Sequence, residues 1–336
     1  MNTPESSYFQ PKSLSGLLSS ALRETTSHSA SGFVTVAAMA LPVALISLAV
    51  IYAAAEMGVT RANRQAPPPQ PGAEWAMLYA VIALACFATM YVVAYFAVAS
   101  VARLFAERAI GNIIRPADAW AASMRQASNL ISGSIYQMLI FAAASMALSL
   151  PLMGIAFVLT ALIAQQDFDA HTMLVNGIHR GLSTILFAIL TAYLCPMPSV
   201  CAIERRDAHS SIRRSFGLIS GDSGRAFLAI LIGTTCVAVF PGLLKWGIDL
   251  VALEPLQNAL GNSLGAVVAA IPSMLVFVLL VPFLVSLQAL IYLDARASKE
   301  GPERFTPEVL AGELEEGLPD AAAATAPATQ QPDAPA

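Results

Sequence analysis

At 336 residues the chain is 57% hydrophobic and only 12% charged, with a mean hydropathy of +0.66. Soluble globular chains hold about 45–50% apolar residues, so this composition excludes an ordinary soluble domain and points to a protein immersed in lipid. The formal net charge of −4 comes from acidic residues crowded into the C-terminal tail, and no nucleic-acid partner is expected.

A hydrocarbon core about 30 Å thick needs roughly 20 predominantly apolar residues per helix. Residues 1–12 read as a disordered N-terminus. The first apolar run, near 34–55, starts too far into the chain and is too long for a signal-peptide core, so it is expected to stay as the first anchor. Further runs near 76–103, 135–164, 182–203, 226–248 and 265–293 complete six expected transmembrane helices, each apolar on all faces. Prolines interrupt five of the six: Pro42, Pro151, Pro196 with Pro198, Pro241, and Pro272 with Pro282. They are expected to shape packing through kinks. The connection RANRQAPPPQPGAE (61–74) is Pro-rich and reads as extended. Residues 13–299 form the membrane domain, and 300–336 read as an acidic, Ala/Pro-rich, mostly disordered tail. Within that tail TPEVLAGELEEG predicts a short helix over 307–316, with Thr306 as N-cap, Pro307 in the first turn and Gly317 as stop.

Six spans alternate the connections between two sides. Fourteen of the eighteen lysines and arginines fall on the side that holds the N-terminus, the 103–125 and 205–225 segments, and the C-terminus. The positive-inside rule makes that side cytoplasmic, which places the protein in the inner (plasma) membrane with both termini inside. The segments near 61–74, 165–181 and 249–263 are then outside, with Trp75 and Trp246 at the outer interface.

The sparse charge gathers in a repeated pattern. SSIRRSFGLISG (210–221) aligns with ASMRQASNLISG (122–133), and more loosely with SSALRETTSHSASG (19–32). The alignment predicts three repeats, about 13–110, 116–206 and 204–296, each an interfacial helix followed by a two-helix hairpin. Along each short helix an apolar stripe is expected, with Arg125, Arg213 and the adjoining Arg214 turned to lipid headgroups. The alternative is a helix folded against the bundle with solvated arginines. Gly133 and Gly221 are expected to close the short helices in the left-handed conformation, and Ser134, Asp222 or Ser223 to cap the next.

Few residues suggest chemistry. Asp167, Asp169, His171 and His179 share one outer loop and are the only metal-ligand candidates, but their spacing fits no metal motif and a solvated loop has similar composition. No metal and no cofactor is expected. GDSG (221–224) resembles a serine-protease nucleophile motif, yet helix capping accounts for it and no base is placed to serve the serine. GNSLG (261–265) has helix-dimer spacing at a span end. Cys86, Cys195, Cys201 and Cys236 fall inside spans without metal-binding spacing. The central parts of the six spans hold no Asp, Glu, Lys or Arg, which argues against a proton-coupled pump or an intramembrane hydrolase.

The run CPMPSVCAIERRDAHSSIRRSFGLISGDSGRAFLAILIG (195–233), with LQALIYLDARASKEG (287–301), resembles a broad bacterial family of six-span proteins. That family includes the membrane domain attached to some glycerophosphodiester phosphodiesterases. The likeness rests on Pro198, Glu204, Arg214-Ser215, and the closing Tyr292-Leu293-Asp294-Ala295-Arg296 with Lys299-Glu300-Gly301. It implies the family's membrane fold without its catalysis, because no segment here is long enough for the separate soluble barrel. The expected function is that of a non-enzymatic inner-membrane protein organising membrane lipids or other membrane proteins at the cytoplasmic face. The alternative is a transporter or channel for a small or lipid-like solute.

Overall fold

The computed structural model describes residues 6–27, 41, 48, 73–163, 182, 185–221 and 223–315. Every regular element among them is helical: α1 (Leu14–Ser27), α2 (Ala73–Ala109), α3 (Pro116–Met124), α4 (Ala127–Ile163), α5 (Ile185–Glu204), α6 (Ala208–Ile219), α7 (Ser223–Val251), α8 (Leu253–Leu260), α9 (Asn262–Glu300) and α10 (Pro307–Glu315). Five of these, α2, α4, α5, α7 and α9, are long and apolar enough to cross a membrane, and each falls where a span was expected. The expected span at 34–55 lies outside the described residues apart from isolated positions, as do most of 61–74 and all of 165–181.

Burial ranks the five. In the spanning windows of α2 and α5, 61% of residues are buried, against 18–22% in α4, α7 and α9. Among the described residues α2 and α5 are therefore the central pair, and the others present broad apolar faces outward. At 1.5 Å per residue, the 37 residues of α2 and 39 of α9 run about 55–58 Å, nearly twice a hydrocarbon core. The excess of α9 carries Asp294, Arg296, Lys299 and Glu300. There the largest buried cluster forms, joining Leu17 of α1, Phe105 of α2, Ile203 of α5, Leu218 of α6, Ile230 of α7 and Tyr292 of α9. We call this the polar end of the bundle.

Both chain ends fold into it. The segment expected to be disordered at the N-terminus instead makes a 3-10 turn, Ser6–Phe9, with Tyr8 and Phe9 buried. Phe9 packs on Phe305 at 5.1 Å between ring centroids, and Tyr8 stacks on Phe105 at 6.4 Å. The start of the expected tail is likewise structured. The helix at 307–316 forms as α10, the Thr306 hydroxyl caps the Val309 amide at 3.3 Å, and Leu310 and Leu314 are fully buried. Apolar residues at 305, 310 and 314 are enough to dock a segment whose overall composition is polar.

Other expectations need correction. Gly221 does close α6 with φ +104. Gly133 does not close α3, which ends at Met124; it lies inside α4 with Ser134 beside it. Its use is close approach: a Cβ there would sit 2.7 Å from the Tyr95 hydroxyl. The connection expected at 249–263 contains helix α8, which folds back on α9. A Cβ at Gly265 would meet the Gln257 backbone at 2.6 Å, so the glycine of GNSLG serves packing within the chain. Pro151, Pro241, Pro272 and Pro282 are all accommodated inside continuous helices.

Candidate functional site

The polar end is organised by the exit of α5. Pro196 and Pro198 have no amide hydrogen and cannot extend a regular α-helical ladder. After Met197–Ser199 the backbone widens into a π turn, Val200–Glu204, which Arg205 ends in the left-handed region at φ +52. π turns of this kind recur at functional positions. Here the turn delivers Glu204 to the junction of α5, α6 and α9.

Helix α6 then starts on an Asp N-cap. The Asp207 carboxylate accepts from the amides of His209 at 3.1 Å and Ser210 at 3.3 Å, and from the Ser210 hydroxyl. The Ser210 hydroxyl, and then its amide, hold this carboxyl below the usual carboxylate range. Ala208, Ser211, Ser215, Leu218 and Ile219 form the buried face of α6, small enough for close contact with the bundle. Arg213, Phe216 and Gly217 are exposed on the other.

Around Glu204 the motif residues of 195–233 and 287–301 meet. Arg214 Nε donates to both Glu204 oxygens, at 3.1 and 3.0 Å, and its Nη2 reaches Glu300. Arg206 Nε donates to Glu204 at 2.9 Å. The Tyr292 hydroxyl donates to Glu204 at 3.4 Å and accepts from Arg296 at 3.1 Å. Arg296 also binds Glu300 at 3.0 Å and holds Glu313 of α10 in a two-pronged contact of 2.6 and 3.0 Å, with Phe305 4.6 Å beneath its guanidinium. Three guanidiniums thus face three carboxylates, and the cluster is internally neutral. Burial works against the charge of Arg214, but Glu204 and then Glu300 more than compensate and raise its pKa above the ordinary guanidinium value.

Three satellite clusters complete a collar. Glu24 of α1 binds Arg108 of α2 at 2.9 Å and accepts from the Tyr8 hydroxyl at 3.0 Å. Arg225 of α7 pairs with Asp294 of α9 at 2.7 Å, and the Lys12 amide donates to Asp294 at 2.6 Å. Inside α2, Arg103 pairs with Glu107 at 3.2 Å and reaches the Leu314 carbonyl at 2.9 Å. The collar locks helices together.

Of the three arginines expected at headgroups, Arg125 and Arg213 are exposed. Arg214 is drawn into the collar, because the π turn and the overhang of α9 bring two carboxylates to it. Asp167, Asp169, His171 and His179 lie outside the described residues; among the described residues no group of three or more His, Cys, Asp or Glu is placed to hold a metal ion. In GDSG, Ser223 opens α7 and Asp222 is outside the described residues. Cys195 and Cys201 are buried free thiols. Sequence reasoning missed Asp207, Glu24, Arg108 and Glu313. Only Asp207 carried a local signal, an Asp directly before a helical pattern.

Comparison of the chain with family models, with curated proteins and with solved structures finds no match in any of the three. What the fold defines, among the described residues, is an all-helical assembly with five helices long and apolar enough to cross a membrane, clamped at one end by a neutral collar of ion pairs.

Proposed function

We propose that the chain is a non-enzymatic, six-span inner-membrane protein with both termini in the cytoplasm, and that its polar end gathers anionic lipids on the cytoplasmic leaflet. The observation that carries this is a set of exposed cation and apolar pairs outside the neutral collar: Arg115 with Ile113, Arg125 with Met124, and Arg213 with Phe216. An interfacial site needs an apolar side chain to enter the headgroup boundary and a cation to meet the phosphate. Basic residues near an anionic surface contribute about 1 kcal/mol each. Helices α3 and α6, each ahead of a long apolar helix, support reading the pairs as products of an internal repeat, although α3 ends at Met124 and residues 127–133 join the long helix, whereas the aligned 215–219 stay in α6. The resemblance of 195–301 to the six-span family supports the same membrane role.

The test is lipid retention. Wild type purified in mild detergent should be enriched in anionic phospholipid over the bulk membrane. The variant Arg115→Glu/Arg125→Glu/Arg213→Glu should lose that enrichment while melting within a few degrees of wild type. Equal enrichment in both proteins would exclude the proposed role for these arginines.

A further inference from the structure

A cavity of about 430 Å³ lies between α2, α4, α5 and α9, within the size range of small-molecule sites. Phe141 and Phe187, stacked at 5.2 Å between centroids, wall it on the side away from the collar. Tyr95, Thr191, Gln137 and Gln288 also line it, and none of its lining residues carries a formal charge. Pro198 and Thr191 on its wall precede Glu204 by six and thirteen residues. At 1.5 Å per residue the cavity lies roughly 9–20 Å from the collar, inside the nearer leaflet.

One group in it is out of place. Gln137 is only 5% exposed, and its side-chain carbonyl Oε1 is buried without a hydrogen-bond partner. A buried acceptor left unpaired is costly, and native structures seldom keep one without a partner. The predominantly apolar, aromatic wall is a poor host for a water cluster, since such cavities stay dry. An occupant that suits both features needs an apolar body and one neutral donor. An ammonium or a carboxylate would enter as an ion with no counter-charge in the lining.

We propose that this cavity binds an uncharged lipid-like alcohol, its chain against Phe141 and Phe187 and its hydroxyl donating to Gln137 Oε1. The site is separate from the exposed arginines and does not depend on their role.

The experiment uses the full chain in phosphatidylcholine vesicles with a long-chain primary alcohol carrying a photoreactive diazirine. Its methyl ether and the corresponding carboxylic acid serve as controls at equal mole fraction. The alcohol should label peptides covering 91–98, 137–145 and 187–195. The ether should label them roughly two- to tenfold less, the factor one net hydrogen bond supplies. Gln137→Leu should abolish the preference for alcohol over ether and leave labelling of lipid-facing positions such as Leu243 unchanged. Ala142→Phe should remove cavity labelling by every probe. In wild type, unlabelled alcohol should compete at a roughly two- to tenfold lower mole fraction than unlabelled ether, which keeps the test independent of how either variant folds. Equal labelling by alcohol and ether, or a preference that survives in Gln137→Leu, would overturn the proposal.

Discussion

Arg213 and Arg214 are neighbours in sequence, and the structure gives them opposite roles that mutation can separate. The Arg214 side chain is 26% exposed and binds Glu204 and Glu300, which are 5% and 15% exposed. Arg214→Ala leaves Glu204 with Arg206 and Tyr292, and Glu300 with Arg296, so neither carboxylate is stranded. Removing one partner of a fully buried pair costs about 3–5 kcal/mol; partial solvation and the remaining partners lower this to roughly 2–3 kcal/mol. At about 2–4 °C per kcal/mol, the midpoint of thermal unfolding should fall by roughly 5–10 °C. Arg213→Ala should stay within about 0.5 kcal/mol of wild type, as for a solvated surface residue. In anionic vesicles the order reverses. Arg213→Glu removes about 1 kcal/mol of surface attraction and adds repulsion, so protease cleavage near Ser210 should rise about tenfold, with no change in zwitterionic vesicles. Scanning fluorimetry and limited proteolysis read the two effects separately. Equal thermal losses for the two alanine variants, or a lipid dependence that follows Arg214 rather than Arg213, would refute the division.

Two further outcomes follow from local geometry. Gly133→Ala forces a Cβ to 2.7 Å from the Tyr95 hydroxyl and should lower thermal stability by several degrees, whereas adding Tyr95→Phe should restore much of it; no recovery in the double variant would mean that the strain lies elsewhere. The Asp207 carboxyl is held below the ordinary value near 4, so its cap on α6 is fully present above that pH and lost as pH falls through the lower folded-state value. Cleavage within α6 should therefore increase as pH falls below about 4 in wild type, and Asp207→Ala should show that increase already at neutral pH; a wild type protected better by acid would reverse the sign.

Five long apolar helices were legible because apolar runs of bilayer length declare themselves without tertiary information. The short helix at 307–316 was legible for a similar reason, a Thr-Pro start with local capping chemistry. What was not legible depended on contacts distant in sequence. Nothing near residue 214 announces that Glu300, 86 positions later, will share its charge. Gly133 and Gly221 look equivalent when SNLISG and GLISG are aligned, yet one packs under Tyr95 and the other ends a helix. A glycine's sequence context does not distinguish close approach from positive φ. The docked ends misled for a related reason: composition averages over a segment, while Phe9, Phe305 and Leu314 act singly.

Helix α9 links the two polar features of the molecule. Gln288, Tyr292, Arg296 and Glu300 follow one another at intervals of four and so share one face of the helix. Its first member lines the cavity, the second contacts Glu204, and the last two join the ion-pair cluster. The same face therefore passes from a neutral wall along the cavity to a balanced set of charges at the polar end. That order follows from solvation. An uncompensated ion is least tolerable deep in hydrocarbon, so the cavity keeps only neutral polar groups, and the charges begin where the helix leaves the spanning length and can be paired. Tyr292, fully buried one turn beyond Gln288 and hydrogen-bonded to Glu204 and Arg296, is where the neutral face of α9 gives way to the ion pairs.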